Sequence, residues 1–521
     1  MDVSTRWRLP AALAVTLMVA LTAVAEPLGT RASHAATRPN IVVIMTDDHS
    51  ENDATAGGTW LDHLPKTKRL LADQGTTFVN SYATYSWCCP SRATLLTGQY
   101  PHNHGVLSNS LPDGGYPKLR GGQTLPVWLK NAGYRTAHIG KYLNGYMAGV
   151  ETQAEVDAHP QRHIPPGWTD WWGAPGWGTY KMWGHWLNAN GVLMPYGQQD
   201  GDPQSKDPVN YQPDVYARIA TRFLDQHAPS AAPFMLSIAP ASPHGEIDVK
   251  RGDGTTIWYP RPAPRHVGRY ATAELPRDPN FNEADVSDKP RHIRELNGGQ
   301  PISEATVNDR MTVRYRNRLE ALLAIDDLVE QVVNRLAALG ELDDTLIVFA
   351  SDNGFLQGAH RVVGDKIHPY EDSIRVPLVM RGPGMAANRR FTEPVANIDL
   401  APTILDAANV TAGIPMDGHS LFQTATLPDP RGVLVETGPR TDGSRWYQAI
   451  RGERYLYVEH STGERELYDL QVDPHQLDSR HDDPALAAVR QDLTTRLHFL
   501  RDCGKAGKPV CPGAAGTDPD S

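Results

Sequence analysis

Ile41 to Met45 is a short, continuous apolar run, rich in β-branched residues, with Pro39-Asn40 before it and Asp47-Asp48 after it. Such a run, without polar alternation, predicts a strand buried on both faces of a parallel sheet. Leu346 to Ala350 repeats the pattern and ends in Ser351-Asp352-Asn353-Gly354. Phe234 to Ala239 is a third run, ending near Pro243-His244. Helical patterns lie between them. Leu125 to Asn131 is followed by Gly133, and Val313 to Leu339 carries Leu319, Leu322, Ile325, Leu328, Val332 and Leu336 on one stripe closed by Gly340. Strands alternating with helices predict an α/β fold: a large central, mostly parallel sheet flanked by helices. Ligands of such sheets collect at the carboxyl ends of the strands, where all three polar clusters fall.

After about Leu421 the texture changes. Val433 to Glu436, Trp446 to Arg451, Tyr455 to Glu459 and Glu466 to Leu470 read as short strands of a small antiparallel sheet, followed by a helix over roughly Pro484 to Leu500. At the other end, Arg6 and Arg8 precede an apolar run from Leu9 to Ala25. Ala23-Val24-Ala25 or Ser33-His34-Ala35 then offers small residues for cleavage. The expected organisation is a signal peptide over 1–36, a large α/β domain over 37–425, an antiparallel-sheet subdomain over 426–503 and a tail over 504–521. The N-terminal run, about 17 residues, sits at the lower limit for a membrane-spanning helix, and no later segment approaches it. The expected product is secreted, with no stable membrane span; a retained anchor is the alternative.

Composition narrows the function. The net charge of −10, from 60 Asp+Glu against 50 Lys+Arg, leaves no basic surplus for nucleic-acid phosphates. Four cysteines in 521 residues exclude a disulfide-dense scaffold. Asp47-Asp48 and Asp352-Asn353 are two pairs of hard oxygen donors about 300 residues apart, each ending a predicted buried strand. Alone, each pair reads as a polar turn; together at one sheet edge they suit Ca²⁺ or Mg²⁺. In Cys88-Cys89-Pro90-Ser91-Arg92-Ala93-Thr94-Leu95-Leu96-Thr97-Gly98, Pro90 and Ser91 read as the first turn of a helix closed by Gly98. That sets Cys88 just ahead of the helix, in the favourable field of its N-terminus, with Arg92 one turn along and able to reach back. The same geometry fits a thiolate nucleophile or a buried structural cysteine. Six of the 12 Trp lie between Trp168 and Trp186, with neither helical nor alternating spacing, which predicts a long folded loop. Its Trp faces either stack on a sugar or aryl group or pack among themselves.

Cys88-Cys89-Pro90-Ser91-Arg92 resembles the C-x-P-S-R signature of the sulfatases, members of the alkaline phosphatase superfamily, in which the first Cys is oxidised to Cα-formylglycine. Gly133-Tyr134-Arg135-Thr136 with Gly140-Lys141 resembles the family's second signature. Ser351-Asp352-Asn353-Gly354 and Lys366 with Tyr370-Glu371 ahead of Arg375-Val376-Pro377 resemble later blocks. Asn397-Ile398-Asp399-Leu400-Ala401-Pro402-Thr403 and Glu466-Leu467-Tyr468-Asp469-Leu470 follow in the family's order. Lys141-Tyr142-Leu143-Asn144 lacks the His that many sulfatases carry after Gly-Lys. It is similar instead to the N-acetylglucosamine-6-sulfatase and extracellular heparan 6-O-endosulfatase branch, where tandem Cys88-Cys89 also points. Asn144 itself reads equally as a substrate contact or a loop cap.

The resemblance implies a secreted sulfuric ester hydrolase, acting on a sulfated sugar or an aryl sulfate and matured by a formylglycine-generating enzyme. It implies that the hydrated aldehyde at position 88 attacks sulfur while calcium, with magnesium as the alternative, sits on Asp47, Asp48, residue 88, Asp352 and Asn353. By the same resemblance Arg92 supports the formylglycine, Lys141 and Lys366 clamp sulfate oxygens, and His244 protonates the leaving oxygen. His104 is a candidate for supporting the site beyond the Cys88 helix. Two other functions keep part of this plan: hydrolysis of phosphonate or phosphate esters at the same site, and a non-catalytic sulfated-glycan-binding protein with Cys88 unmodified. The four cysteines then divide into a converted Cys88, a buried free thiol at Cys89 and one disulfide between Cys503 and Cys511.

Overall fold

The computed structural model describes Met1 and residues 38–54, 58–197, 207–228, 230, 232–247, 256, 259–426, 431–438, 441 and 446–511. Residues 2–37 and the chain after Cys511 lie outside the described residues, and so does the signal-peptide expectation. The described residues from Arg38 onward belong to one compact unit.

The strands of the principal sheet are β1 (Asn40–Thr46), β2 (Thr76–Phe78), β4 (Arg135–Lys141), β5 (Asp170–Ala174), β6 (His185–Ala189), β7 (Val192–Tyr196), β8 (Phe234–Ala239), β9 (Thr345–Ser351), β10 (Leu378–Arg381) and β11 (Arg389–Phe391). A two-stranded ribbon pairs β3 (Ser81–Tyr82) with β12 (Val395–Ala396). The principal sheet runs β11-β2-β10-β9-β1-β8-β4-β5-β6-β7. Its centre, β9-β1-β8-β4-β5, is parallel, and antiparallel strands extend it on both sides. Both faces are covered, as the unbroken apolar runs require. Ile41, Val43 and Met45 pack with Leu95, Leu129 and Ile404 on one side. Val42 and Ile44 pack with Val215, Leu322 and Ile325 on the other. The second side carries the Gln212–His227 and Val313–Ala338 helices, and the first the Cys88–Thr97, Leu125–Asn131 and Leu400–Ala408 helices.

Register brings distant polar clusters together. Thr46 lies opposite Ser351, so Asp47-Asp48 and Asp352-Asn353 emerge side by side. Asp47 bridges Pro243 on the other flank. Gly140 lies opposite Ala239, which delivers Lys141 to the same edge. Only glycine passes there: at φ 101° a Cβ on residue 140 would sit 2.4 Å from the Ala239 carbonyl oxygen.

The four late strands form one antiparallel sheet of β13 (Val433–Glu436), β14 (Tyr447–Arg451), β15 (Tyr455–His460) and β16 (Arg465–Asp469). The Ala487–Asp502 helix covers it with Leu493 and Leu497, and the sheet shares its core with Tyr82, Tyr100 and Ile398 of the larger part. Cys503 and Cys511 are disulfide-bonded, their Cα atoms 4.9 Å apart. No described helix is long and apolar enough to cross a membrane.

The Trp-rich segment corrects the sequence expectation of a loop. Trp171 and Trp172 lie in β5 and Trp186 in β6, at the antiparallel end of the sheet. Trp168 and Trp171 pack with Tyr142, Tyr146 and His138. These rings build core rather than display flat faces to solvent.

Candidate active site

The helix carrying the Cys-Pro-Ser-Arg stretch spans Cys88–Thr97, with Trp87 extended before it and Gly98 left-handed after it. It starts two residues earlier than the sequence suggested, so Cys88 is its first residue rather than just ahead of it. Pro90 is tolerated at the third position because the first-turn N–H groups have no intrahelical acceptor in any case. Asn397 fixes the helix from the side: its Nδ2 donates to Ser91 Oγ at 2.8 Å, and Ser91 Oγ donates to the Asp352 carbonyl.

Cys88 is 1% exposed. Lys366 Nζ donates to its Sγ at 3.1 Å, and Sγ lies 3.6 Å from Asp47 Oδ1. Burial pushes the thiol upward against the pull of Lys141 and Lys366. That direction disfavours the unmodified thiolate as nucleophile. Cys89 is equally buried, and burial pushes it up to about 12, the behaviour of an inert structural thiol.

The acidic groups converge around Cys88. Lys141 Nζ contacts Asp47 Oδ2 at 2.5 Å and lies 3.9 Å from Asp352 Oδ2, while Lys366 Nζ donates to Asp48 Oδ1. Arg92 turns toward Asp352, its Nε donating to Oδ2 at 2.8 Å and its Nη1 to the Lys141 carbonyl at 3.1 Å. Burial alone would raise the Asp47 carboxyl, but Lys141, His244, Arg92 and Lys366 together hold it well below the carboxylate range. Asp352 moves upward, through burial and then the charge of Asp47. Burial opposes the charge on Lys141 and Lys366, yet Asp47 and Asp48 keep both ammonium groups firmly protonated. His244 Nδ1 donates to the Gly245 carbonyl at 2.7 Å, so Nε2 faces the site, 3.6 Å from Asp48 Oδ2.

The donor set fits a hard divalent cation. Asp47, Cys88 and Asp352 offer ligand atoms within one small sphere, and so do Asp47, Asp48 and His244. Asn353 donates through Nδ2 to Asp48 Oδ1 at 2.7 Å, which leaves its buried Oδ1 without a hydrogen-bond partner. A buried amide oxygen beside three carboxylates is what an oxygen-ligated ion requires. All nine sequence-assigned residues therefore meet at one place.

Three further side chains belong to this site. Arg318, on the Val313–Ala338 helix, reaches beneath it to Asp53 and to the Asp48 and Pro243 carbonyls. An Arg set among the apolar positions of an amphipathic helix was the available signal. Asp53, five residues past Asp48, carries no motif of its own in the sequence. Tyr180, between β5 and β6, faces Lys141 and His244; the surrounding tryptophans masked it. Asn144 ties two parts of the site together: its N–H donates to Cys89 Sγ at 2.9 Å and its Nδ2 to the Tyr180 hydroxyl at 2.9 Å. His104 Nε2 lies 3.1 Å from the Thr94 hydroxyl of the Cys88–Thr97 helix.

Residues 39–410 match the family model described as Sulfatase, and residues 358–503 match the one described as N-sulphoglucosamine sulphohydrolase, C-terminal. The N-acetylglucosamine-6-sulfatase of Homo sapiens is 35% identical over 402 residues, covering 76% of this chain and 65% of the relative. The extracellular sulfatase SULF-1 homolog of Drosophila melanogaster is 34% identical over 418 residues, covering 78% of this chain and 33% of the relative. This chain thus spans somewhat under two-thirds of the first and a third of the second. A protein solved in complex with its substrate D-glucosamine-2-N,6-O-disulfate superposes with a TM-score of 0.70 at 24% identity, over 90% of this chain and all of that one. That likeness establishes the fold.

Proposed function

The chain belongs to the sulfatase family, and from that premise we propose that it hydrolyses the sulfate monoester of a sulfated sugar, with aryl sulfates as a second substrate class. The reading includes a Cα-formylglycine made from Cys88 by a formylglycine-generating enzyme, and a calcium ion held by Asp47, Asp48, Asp352 and Asn353. The human relative's name supports a sulfated amino sugar, and the fly relative's supports an extracellular place of action. The export pattern in residues 1–36 agrees with the latter. The proposed organisation is a catalytic domain over 37–425 and an antiparallel-sheet subdomain over 426–503.

One observation carries the reading: the side chain at position 88 is buried at a helix N-terminus, 3.1 Å from Lys366 Nζ, inside a ring of three carboxylates and three cations. When bound, the ion supplies Lewis-acid stabilisation of sulfate charge, and the converted residue 88 supplies the oxygen nucleophile. The chain's own residues do the rest. Lys141 and Lys366 present fixed positive charge to the sulfate oxygens from buried, preorganised positions. Arg92 holds Asp352 and the Lys141 carbonyl in place. His244 keeps Nδ1–H on Gly245, so its transferable proton is carried at Nε2, facing the leaving oxygen. Burial pulls that imidazole down while Asp48 and Asp47 pull it back up.

The test is mass spectrometry of the Cys88 peptide together with turnover of matched sulfate, phosphate and phosphonate monoesters. Conversion of Cys88 and preference for the sulfate ester are expected, with loss of turnover in Cys88→Ala. An unmodified Cys88 in fully active protein would overturn the nucleophile assignment. Preference for a phosphate or phosphonate ester would overturn the substrate class.

A further inference from the structure

Tyr180 sits in the turn between β5 and β6, outside every motif that marks the site. Lys141 Nζ lies 4.7 Å from its ring centroid, and the His244 ring lies 4.4 Å away, tilted by 35°. One phenol ring thus touches the ammonium assigned to the sulfate oxygens and the imidazole assigned to the leaving group. Its hydroxyl accepts from Asn144 Nδ2, and Asn144 is itself bonded to Cys89, the neighbour of the nucleophile position.

The turn that holds Tyr180 is built from buried polar contacts. Gln212 is fully buried at the start of the Gln212–His227 helix. Its Nε2 donates to the Thr179 carbonyl at 2.9 Å and to the Lys181 carbonyl at 3.0 Å, the two residues flanking Tyr180. Its Oε1 accepts from the Ala241 N–H at 2.8 Å, in the segment that leads to His244. Glu246, two residues past His244, accepts the Met182 N–H at 2.7 Å. Two side chains therefore tie the Tyr180 turn to the His244 segment. Packing alone would not require both, because each buries polar atoms that must all be matched.

We propose that Tyr180 is a positioning residue of this site: its aromatic face fixes the Lys141 ammonium and the His244 imidazole in the geometry that grips the sulfate group, and Asn144 fixes the ring. The proposal rests on the sulfatase reading of the same site. The ring is the working part because a lysine has three rotatable donors on a flexible stem, which Asp47 at 2.5 Å and the more distant Asp352 at 3.9 Å do not by themselves hold in one place. A desolvated cation–π contact supplies it. The high pKa of the phenol, raised first by burial and opposed by Lys141, keeps the ring neutral beside that charge.

The experiment is calorimetric binding of inorganic sulfate to calcium-loaded protein, for the parent, Tyr180→Phe and Tyr180→Leu, with kcat and KM for a sulfate monoester measured alongside. Tyr180→Leu is expected to weaken sulfate binding by roughly 30-fold, the equivalent of ~2 kcal/mol for a desolvated cation–π contact. KM should rise by a similar factor and kcat fall further through His244. Tyr180→Phe keeps the ring and should return sulfate affinity to within about fivefold of the parent. Sulfate affinity in Tyr180→Leu within threefold of the parent would overturn the proposal, and so would a Phe variant as weak as the Leu variant. If Tyr180→Leu fails to melt cooperatively, Tyr180→Met makes the same comparison with a non-aromatic side chain of greater reach. A parent that binds sulfate but turns over no sulfate ester would refute the sulfatase reading, while the affinity series still decides the role of Tyr180.

Discussion

Replacing Arg318 by Met tests whether the floor of the site is held electrostatically. Arg318 is 1% exposed and its partner Asp53 is fully buried. The guanidinium meets the carboxylate at 3.1 Å through Nε and 2.5 Å through Nη2, and donates to the Pro243 carbonyl at 3.3 Å and to the Asp48 carbonyl. Methionine matches the length but removes the charge, leaving Asp53 buried with, among the described residues, the Ser50 N–H and Gln357 Nε2 as donors. Breaking a buried pair from one side costs about 3–5 kcal/mol. The two surviving hydrogen bonds to Asp53 favour the middle of that range, about 4 kcal/mol. Spread over a compact unit of this size, at roughly 2.1 cal/mol/K per residue, that is a fall in Tm of about 4 °C. Because the same guanidinium anchors the Asp48 and Pro243 carbonyls, sulfate-ester kcat/KM should drop by at least 10-fold in protein that is still folded. Adding Asp53→Asn to Arg318→Met removes the stranded charge and should recover about half of the lost stability, but not the activity. Differential scanning calorimetry and steady-state kinetics on the parent, both single variants and the double variant give every number needed. A single variant within 1 °C of the parent, or a double variant no more stable than Arg318→Met, would refute this reasoning.

Two further outcomes follow from the site and its surroundings. His185 is wholly buried, stacked on Tyr196 at 5.2 Å and edge-on to Tyr216, and burial pushes its imidazole down to about 3. The unfolded chain therefore binds the proton first: this contribution is complete above the ordinary value of 6.5 and is lost as pH falls from there toward 3. Between pH 7.5 and 5.5 the parent should lose about 1.4 kcal/mol more than His185→Phe, read from urea melts; equal losses would contradict it. Chelation should abolish turnover and lower Tm by a few degrees while leaving a folded protein, because Lys141 and Lys366 still pair with Asp47 and Asp48. Calcium should restore both properties, and turnover unaffected by exhaustive chelation would remove the ion from the reading.

The sheet edge was legible in the sequence because its information is local. A buried strand is an apolar run that ends in the polar residues it delivers, and Ile41–Met45 with Asp47-Asp48 says this within eight residues. The Cys88 helix was legible for the same reason, apart from two residues at its start, where Pro90 marked a first turn without fixing its phase. The tryptophans misled because β5 and β6 belong to the end of a sheet that packs on both sides, so neither alternation nor helical spacing survives in Trp171-Trp172 or Trp186. The roles of Tyr180 and Arg318 were not legible for a different reason. Each works through residues far away in the chain: the register of β4 and β8 brings Lys141 and His244 together under Tyr180, and packing of the Val313–Ala338 helix brings Arg318 to Asp53.

The ion-pair ledger of the site argues that it is kept for chemistry rather than for folding. Asp47, Asp48 and Asp352 face Arg92, Lys141 and Lys366, with no side chain among the six more than 10% exposed. Six ionised groups at one edge of an otherwise apolar sheet face desolvation that their mutual attraction only about offsets, and well-packed apolar residues would fold at least as well. Their charges also cancel, three against three. A divalent cation entering such a balanced site adds charge that nothing in the protein neutralises, and an anion entering alone meets three carboxylates. Each ligand therefore relieves the electrostatic cost of the other, and the coupling is reciprocal. An arrangement that holds neither partner well alone, but favours a cation and a sulfate group together, is what a metal-assisted site for anionic esters needs. It also explains why the lysines must be rigidly held. In the proposed role as sulfate clamps they have to stay in place once released from Asp47 and Asp48, and for Lys141 the remaining neighbours are Asp352 at 3.9 Å and the ring of Tyr180.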